Sequence, residues 1–340
     1  MAAEGARAPA AVALEVSLVI PVRNEEGSLP ALISSIQAQT FPPAEVVIVD
    51  GGSDDKTVEL GRRLTEGDAR FRFVEAGDAT PGRGRNVGTE EARSEWVAYT
   101  DAGIRVEPTW LERLVSEVVR DPTAEVVYGN YEPRDDTFFE RAAALAYVAP
   151  KRELPGGAKM RPPFIASSLM RRDVWLRVGG FPDLRAAEDL IFMERIARSG
   201  IATRYAPEAT VWWQLQPTLA RTFRKFVLYS KHNVWAGRQR FWHYGLARLY
   251  VVALFFVVLF FVALAFSHSA WRLPLLVAGL LAAGLLARAA KSIWLHREGR
   301  TLLWALNPAR LLSVAAVIVT VDFATFVGWA QALLSRPRRR

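Results

Sequence analysis

Two patterns of apolar and polar positions take turns along the first hundred residues. Continuous apolar, β-rich runs fall at "EVSLVIPV" (15–22), "AEVVIVDGG" (44–52), "FRFVEA" (71–76) and "EWVAYTD" (95–101), and each predicts a buried strand. Between them, "SLPALISSIQAQT" (28–40) places Leu29, Leu32, Ile33 and Ile36 at helical spacing, with Ser28 as a cap and Pro30 in the first turn. "DDKTVELGRRLTEG" (54–67) predicts a second helix, and "GRGRNVGTEEARS" (82–94) a glycine-rich loop feeding a third. Strands that are apolar throughout, rather than at every second residue, belong to a parallel sheet covered on both faces. In such α/β sheets ligands bind beyond the carboxyl ends of the strands. Asp50 and Asp101 each stand at one of those ends, so both are expected to face one crevice.

After residue 105 the alternation loosens. "PTWLERLVSEVVR" (108–120) predicts an amphipathic helix and "AEVVYGNY" (124–131) a further strand. "RRDVWLRVGGFPD" (171–183) leads into a helix over 186–200, and "RYAPEATVWWQ" (204–214) gives a last strand or two. Long apolar runs follow. "LARLYVVALFFVVLFFVALAF" (246–266) is 21 residues long, about 31 Å as a helix, which is enough for a bilayer core. "LPLLVAGLLAAGLLA" (273–287) and "LLSVAAVIVTVDFATFVGWAQALL" (311–334) predict a second and a third span, the last with Asp322 in its middle. "PTLARTFRKFVLYSKHNVW" (217–235) mixes apolar and basic residues. It reads as an amphipathic helix lying on a membrane surface or as a helix packed on the preceding domain.

These patterns divide the chain into a flexible tail (1–14), an α/β domain (15–215), an interfacial segment (216–245), a membrane region of two or three spans (246–334) and a basic tail (335–340). The first apolar stretch is broken by Glu15 and ends in Pro21, so it reads as a strand and not as a signal peptide.

Composition sharpens this picture. Of 340 residues 51% are hydrophobic, and the net charge is +8. Arg224, Lys225, Lys231, Arg238 and Arg240 precede the first span, and Arg248 stands at its start. Arg288, Lys291, Arg297, Arg300 and Arg310 follow the second, and the link between the two carries only Arg272. The basic excess therefore reads as the cytoplasmic side of a multi-pass membrane protein, with 1–245 and 288–310 in the cytoplasm, and not as a nucleic-acid footprint. A third crossing would carry Arg336, Arg338, Arg339 and Arg340 to the other side, against that rule. The chain has no cysteine, which excludes disulfides and thiolate-bound zinc. His232 and His243 lack metal-ligand spacing.

Three stretches together resemble one family. "SLVIPVRNEEGSLPALISSIQAQTFPPAEVVIVDGGSDDKT", "GRGRNVGTEEARSEWVAYTDAG" and "VGGFPDLRAAEDLIFMERIARSG" are similar, in register, to the family 2 glycosyltransferases of GT-A fold over roughly residues 15 to 215. The resemblance implies a nucleotide-sugar donor and a site built from these segments. Pro21, Arg23, Glu25 and Asp50 would hold the nucleoside, with Glu25 alternatively a helix cap. Where many relatives carry a second Asp after Asp50, this chain has Gly51. Arg85 would meet the pyrophosphate, with Gly82, Gly84 and Gly88 admitting the backbone to it, or else be solvated.

In the family's Asp-x-Asp pattern the pair stands between nucleotide and a divalent metal, and here the second place is Gly103. That leaves Asp101 to bind the donor's ribose, or to serve alone or through water as the single carboxylate for Mg²⁺ or Mn²⁺, ions that take hard oxygen ligands and keep several waters. Glu188 and Asp189 open a helix, where acidic side chains are stabilising caps. The family places its general base at the position of Asp189. A base suits a hydroxyl acceptor, a glycan or a lipid-linked one, whereas a polyprenyl phosphate is already anionic and needs none. An inactive GT-A membrane scaffold is the further alternative. Trp212 and Trp213 would stack on an acceptor sugar or pack at the membrane interface.

Overall fold

The computed structural model describes residues 14–266 and 272–335, so nearly all of both predicted tails falls outside the described residues. The first half runs β1 (Val16–Val22), α1 (Leu29–Gln37), β2 (Glu45–Asp50), α2 (Thr57–Leu64), β3 (Phe71–Glu75), α3 (Pro81–Glu91), β4 (Trp96–Tyr99), β5 (Ile104–Val106), α4 (Trp110–Arg120) and β6 (Val126–Arg134). It continues through α5 (Phe138–Tyr147), the short hairpin β7 (Arg152–Glu153) and β8 (Lys159–Met160), β9 (Ser168–Arg171), α6 (Arg172–Arg177), α7 (Glu188–Arg198) and β10 (Thr203–Gln214). The chain then turns helical as α8 (Leu219–Trp235), α9 (His243–Phe266), α10 (Arg272–Leu295), α11 (Leu302–Ala305) and α12 (Pro308–Leu334).

Eight strands form one sheet in the order β3-β2-β1-β4-β9-β6-β10-β5. The expected parallel core is there: β1 pairs in parallel with β2 and β4, and β2 with β3. All six residues of β2 are buried, because helices cover both faces. Leu18 and Ile20 face a cluster with Ile33 and Trp110, while Val19 between them faces the opposite cluster with Val49, Tyr99 and Phe192. The sheet is mixed, however, and not parallel throughout. Strand β9 inserts antiparallel between β4 and β6, and β5 returns antiparallel along β10. Four residues of β9 carry too little pattern to announce a strand.

Two local expectations change. Ser28 holds the cap position of α1 but caps no backbone N–H, since its hydroxyl donates to Glu25. The glycine-rich segment is not a loop but helix α3 itself, started by Thr80 accepting from the Arg83 N–H, with Pro81 in the first turn.

Among the described residues, three helices are long and apolar enough to cross a membrane, over His243–Val262, Leu275–Leu295 and Pro308–Leu334. They differ in how much protein covers them. Helix α9 exposes Leu254, Phe255, Val258 and Phe261, whereas α12 buries Val314, Val317 and Ile318 against Ala142 of α5 and Ile293 of α10. Asp322 of α12 is buried and accepts two hydrogen bonds from Arg288 of α10, at 2.6 and 3.2 Å, and one from the Tyr250 hydroxyl at 2.9 Å. The basic residue that the charge pattern assigns to a loop thus lies inside a helix, neutralising the acid. Helix α8 is packed on two sides. Its Ser230 hydroxyl donates to the Thr325 carbonyl of α12 at 2.6 Å, and its Phe226 ring meets Tyr147 of α5 edge-on at 4.9 Å.

Candidate active site

The carboxyl ends of β2, β1 and β4 lie side by side, and the residues that follow them line one edge of the sheet. After β2, the Asp50 carboxylate accepts from the Gly52 and Ser53 N–H groups at 3.0 and 3.1 Å and from the Ser53 hydroxyl at 2.6 Å. Asp50 therefore first shapes its own turn. At Gly51 an added Cβ would stand 2.8 Å from the Ala79 carbonyl oxygen. The segment before α3 closes on this position, which is why no second acid stands there. Arg23 is ion-paired with Asp78 on that same segment.

Pro21 is partly buried in β1, facing Gly84 of α3. Glu25 accepts from the Ser28 hydroxyl, and its N–H donates to Thr57 Oγ1 at 2.7 Å. Burial lifts its carboxyl above the usual glutamate range, the Ser28 bond opposes this, and the charges of Asp101 and Asp55 add to the rise. Glu25 and Asp101 thus share one electrostatic neighbourhood.

Arg85 is the hub. It is 3% exposed. Its Nη2 donates to Asp101 Oδ1 at 2.6 Å and its Nη1 to Glu188 Oε1 at 2.7 Å, with the Phe181 ring 5.6 Å from the guanidinium. The arginine is not solvated but is a buried tie between two carboxylates from distant parts of the chain. Its Nε and Glu188 Oε2 keep no hydrogen-bond partner. The glycines of α3 serve this placement by letting the helix approach its neighbours. An added Cβ at Gly82 would stand 2.0 Å from the Pro182 carbonyl oxygen, and one at Gly88 2.4 Å from Val19. They do not open the backbone to a ligand. Gly82→Ala is expected to cost about 1–3 kcal/mol of stability, read as a lower melting temperature, with activity falling alongside because α3 carries Arg85.

The turn before α7 completes the arrangement. Asn86 Nδ2 donates to the Phe181 carbonyl at 2.8 Å, and Asn86 Oδ1 accepts from the Phe181 N–H and from Trp175 Nε1, both at 2.8 Å. Phe181 stacks on Phe192 at 3.8 Å between ring centroids. Asn86 and Phe181 hold the acidic turn against α3, and the sequence pattern alone does not single out either. Ala187 has φ +72°, a left-handed conformation that strains a residue with a Cβ. It aims Glu188 at Arg85.

Burial pushes the Glu188 carboxyl up to about 7, against the pull of Arg85 and with the help of Asp189. Burial likewise raises Asp189, which Arg85 opposes and the charge of Asp101 reinforces. A folded-state value raised above the ordinary glutamate range gives stability that is full below that range and lost as pH rises through about 7. Melting temperature is therefore expected to fall more steeply between about pH 5 and about pH 8 in the native chain than in Glu188→Gln.

Trp212 and Trp213 point to opposite faces of β10, as neighbours on a strand must. Trp212 Nε1 donates to Glu107, whereas Trp213 packs with Tyr131, Phe164 and Tyr147 at 6.3–6.4 Å. They cannot together form one sugar platform. Among the described residues, no three His, Cys, Asp or Glu side chains gather to hold a metal ion. Asp101 can offer a divalent cation one hard oxygen ligand, leaving the rest to diphosphate and water, a donor set that fits Mg²⁺ or Mn²⁺ more loosely than a protein cage.

Residues 17–175 match glycosyl transferase family 2, so this part of the chain is similar to that family. Among curated relatives, the chain is 29% identical over 198 residues to glycosyltransferase AglE of Haloferax volcanii, covering 56% of this chain and 64% of that protein. It is 27% identical over 229 residues to the succinoglycan biosynthesis protein ExoA of Rhizobium meliloti, covering 63% and 67%. The chain thus spans less than two thirds of the length of AglE. Among solved structures it is similar to the mannosyltransferase PcManGT of Pyrobaculum calidifontis in complex with GDP-Man and Mn²⁺. That likeness has a TM-score of 0.60 and 20% identity, and covers 94% of this chain and 91% of that one. It shows a GT-A-like fold.

Proposed function

We propose that this chain is a membrane-anchored inverting glycosyltransferase, moving a sugar from a nucleotide-sugar donor to a hydroxyl of a glycan or lipid-linked acceptor. The observation that carries this reading is the Arg85 tie. It fixes Asp101, on the donor side of the sheet edge, to the acidic N-terminus of α7 through bonds of 2.6 and 2.7 Å. Asp189 beside it is the base. Its raised carboxyl is better matched to accepting a proton near neutral pH than an ordinary aspartate is.

In the step proposed, Asp189 takes the proton of the acceptor hydroxyl while that oxygen attacks the anomeric carbon. The bond from that carbon to the diphosphate oxygen breaks, and the nucleoside diphosphate leaves with the electron pair. One displacement inverts the anomeric centre. Pro21, Arg23, Glu25 and Asp50 line the nucleoside end, and Trp213 the acceptor end. A divalent cation held by Asp101 would neutralise charge on the diphosphate. The relatives named for glycosyl transfer and for succinoglycan biosynthesis support a role in making a surface glycan. The three apolar helices and the basic residues flanking them support an anchor in the cell membrane, with the catalytic domain in the cytoplasm.

The anomeric configuration of the isolated product, read by NMR coupling constants, tests the reaction: inversion relative to the donor is expected, and retention overturns the single displacement. Gly103 bears on the metal. Nothing lies within 4 Å of a Cβ added there, so Gly103→Asp fits without strain. It is expected to raise stimulation by Mn²⁺ about tenfold by supplying a second oxygen ligand, measured as activity across a manganese titration.

A further inference from the structure

Helix α8 follows the catalytic domain, and in the sequence its basic residues read as a membrane-surface feature. In the structure one of them leaves that surface. Lys225 Nζ lies 5.0 Å from the Trp213 ring centroid and 5.5 Å from that of Tyr229, one turn further along α8. Trp213 sits opposite Ile104 in the antiparallel pairing of β10 with β5, and the Gln214 N–H donates to the Gly103 carbonyl at 3.3 Å. The Lys225 ammonium therefore stands over the strand that runs beside Gly103, the position where the resembling pattern has its second acid. Among the described residues, no carboxylate comes within 4.0 Å of it.

A half-buried cation without an anionic partner is costly even over aromatic rings, unless an anion joins it. Burial lowers the Lys225 pKa, and the negative charges of Asp101 and Glu25 partly restore it. Those two carboxylates mark the donor edge of the site, so the ammonium faces the same crevice without pairing to either. Its position is fixed from behind. Gly328 of α12 leaves no room for a Cβ, which would stand 2.4 Å from the Val227 carbonyl oxygen of α8. Trp235 Nε1 donates to the carbonyls of Ala332 and Ser335 at 3.3 and 3.1 Å. Helices α8 and α12 are thus closely packed on each other.

We propose that Lys225 binds the diphosphate of the nucleotide donor, supplying, from the helix that joins the domain to the membrane region, positive charge at a site where Gly103 leaves Asp101 as the single acid of its motif. The inference rests on the glycosyltransferase reading above. The ammonium takes part of the leaving diphosphate's charge, and Asp101 stays bonded to Arg85. Because α8 is locked to α12, donor binding depends on the membrane helices being in place.

Titration calorimetry of the purified full-length protein with UDP, GDP and dTDP in excess EDTA tests this. The native chain is expected to bind one of them. Lys225→Met should weaken that binding about 10- to 100-fold, the loss of one charge-assisted contact, and Lys225→Arg should recover most of it. Lys225→Gln, with the amide filling the same space over Trp213, should match Lys225→Met at an unchanged melting temperature, which separates lost charge from lost packing. Equal binding by the native chain, Lys225→Met and Lys225→Gln overturns the assignment of Lys225 and leaves the glycosyltransferase reading standing. Absence of binding in EDTA that added Mn²⁺ restores overturns the assignment of Lys225 and leaves that reading standing, whereas absence both in EDTA and with Mn²⁺ overturns that reading, and the inference with it.

Discussion

Asp189→Asn is expected to lower the turnover of sugar transfer about 10²- to 10⁴-fold, the range associated with losing a positioned general base, while nucleoside-diphosphate binding keeps its native strength. The amide is nearly isosteric and still fits the first turn of α7, where an acid is favoured but not required. Arg85 bonds to Glu188 and not to Asp189, so the hub stays intact and the defect falls on proton transfer. Acceptor hydroxyls have pKa values far above neutrality, and attack on the anomeric carbon without proton removal develops a poor nucleophile. Activity of the native enzyme should accordingly rise with pH along a limb set by the raised Asp189 carboxyl, and that limb should vanish in the variant. An acceptor that is already an anion, such as a polyprenyl phosphate, makes the opposite prediction: the variant keeps most of its activity and the product extracts into organic solvent. Single-turnover rates of both proteins on the same donor and lipid extract decide between the two.

Arg85→Met should produce the largest loss of stability of any single substitution in the site. The side chain is 3% exposed and compensates Asp101 and Glu188 at once. Removing one partner of a buried charge network costs up to about 3–5 kcal/mol, and here Glu188 would stay buried without compensation while water reaches Asp101. For a domain of this size that is on the order of 10 °C in melting temperature. Arg85→Lys should recover little. A lysine is a point charge that cannot reach two carboxylates as a planar fork does. The effect should shrink at low pH, where Glu188 is protonated and one of the two charges is gone. A pH series of thermal melts on native chain and variant measures this directly.

Much of the site could be read from residues alone, and the failures have physical causes. The acids at the ends of β2 and β4 announced a crevice because continuous apolar runs force a parallel core, and parallel cores align their carboxyl ends. Helix α5 was not seen, although Thr137 and Glu140 form a capping box that the sequence displays as T-x-x-E. The glycines of α3 misled because glycine disfavours helices. Their cause is tertiary, in contacts with Pro182, Pro21 and Val19 that no local pattern records. Arg85 was legible as a charged residue in the right segment, but not as a bridge to Glu188, 103 positions away. Lys225 was counted with its basic neighbours for the same reason: only the packing of α8 against α12 and α5 separates it from residues that face away from the site. Gly51 shows the reverse case, where a departure from a familiar pattern becomes intelligible once Ala79 is seen closing on it.

The central claim, transfer from a nucleotide sugar through the site that Arg85 organises, is tested most directly by nucleotide release from a panel of nucleotide sugars. The purified full-length protein is supplied with membrane lipid extract as acceptor and assayed with and without EDTA. Release from one donor, dependent on the extract and abolished by Asp189→Asn, is the expected result. Its persistence in EDTA would place the diphosphate charge on Lys225, and its loss would place a metal at Asp101. No release from any donor, together with no binding of any nucleoside diphosphate, would contradict the account and leave the domain a membrane scaffold.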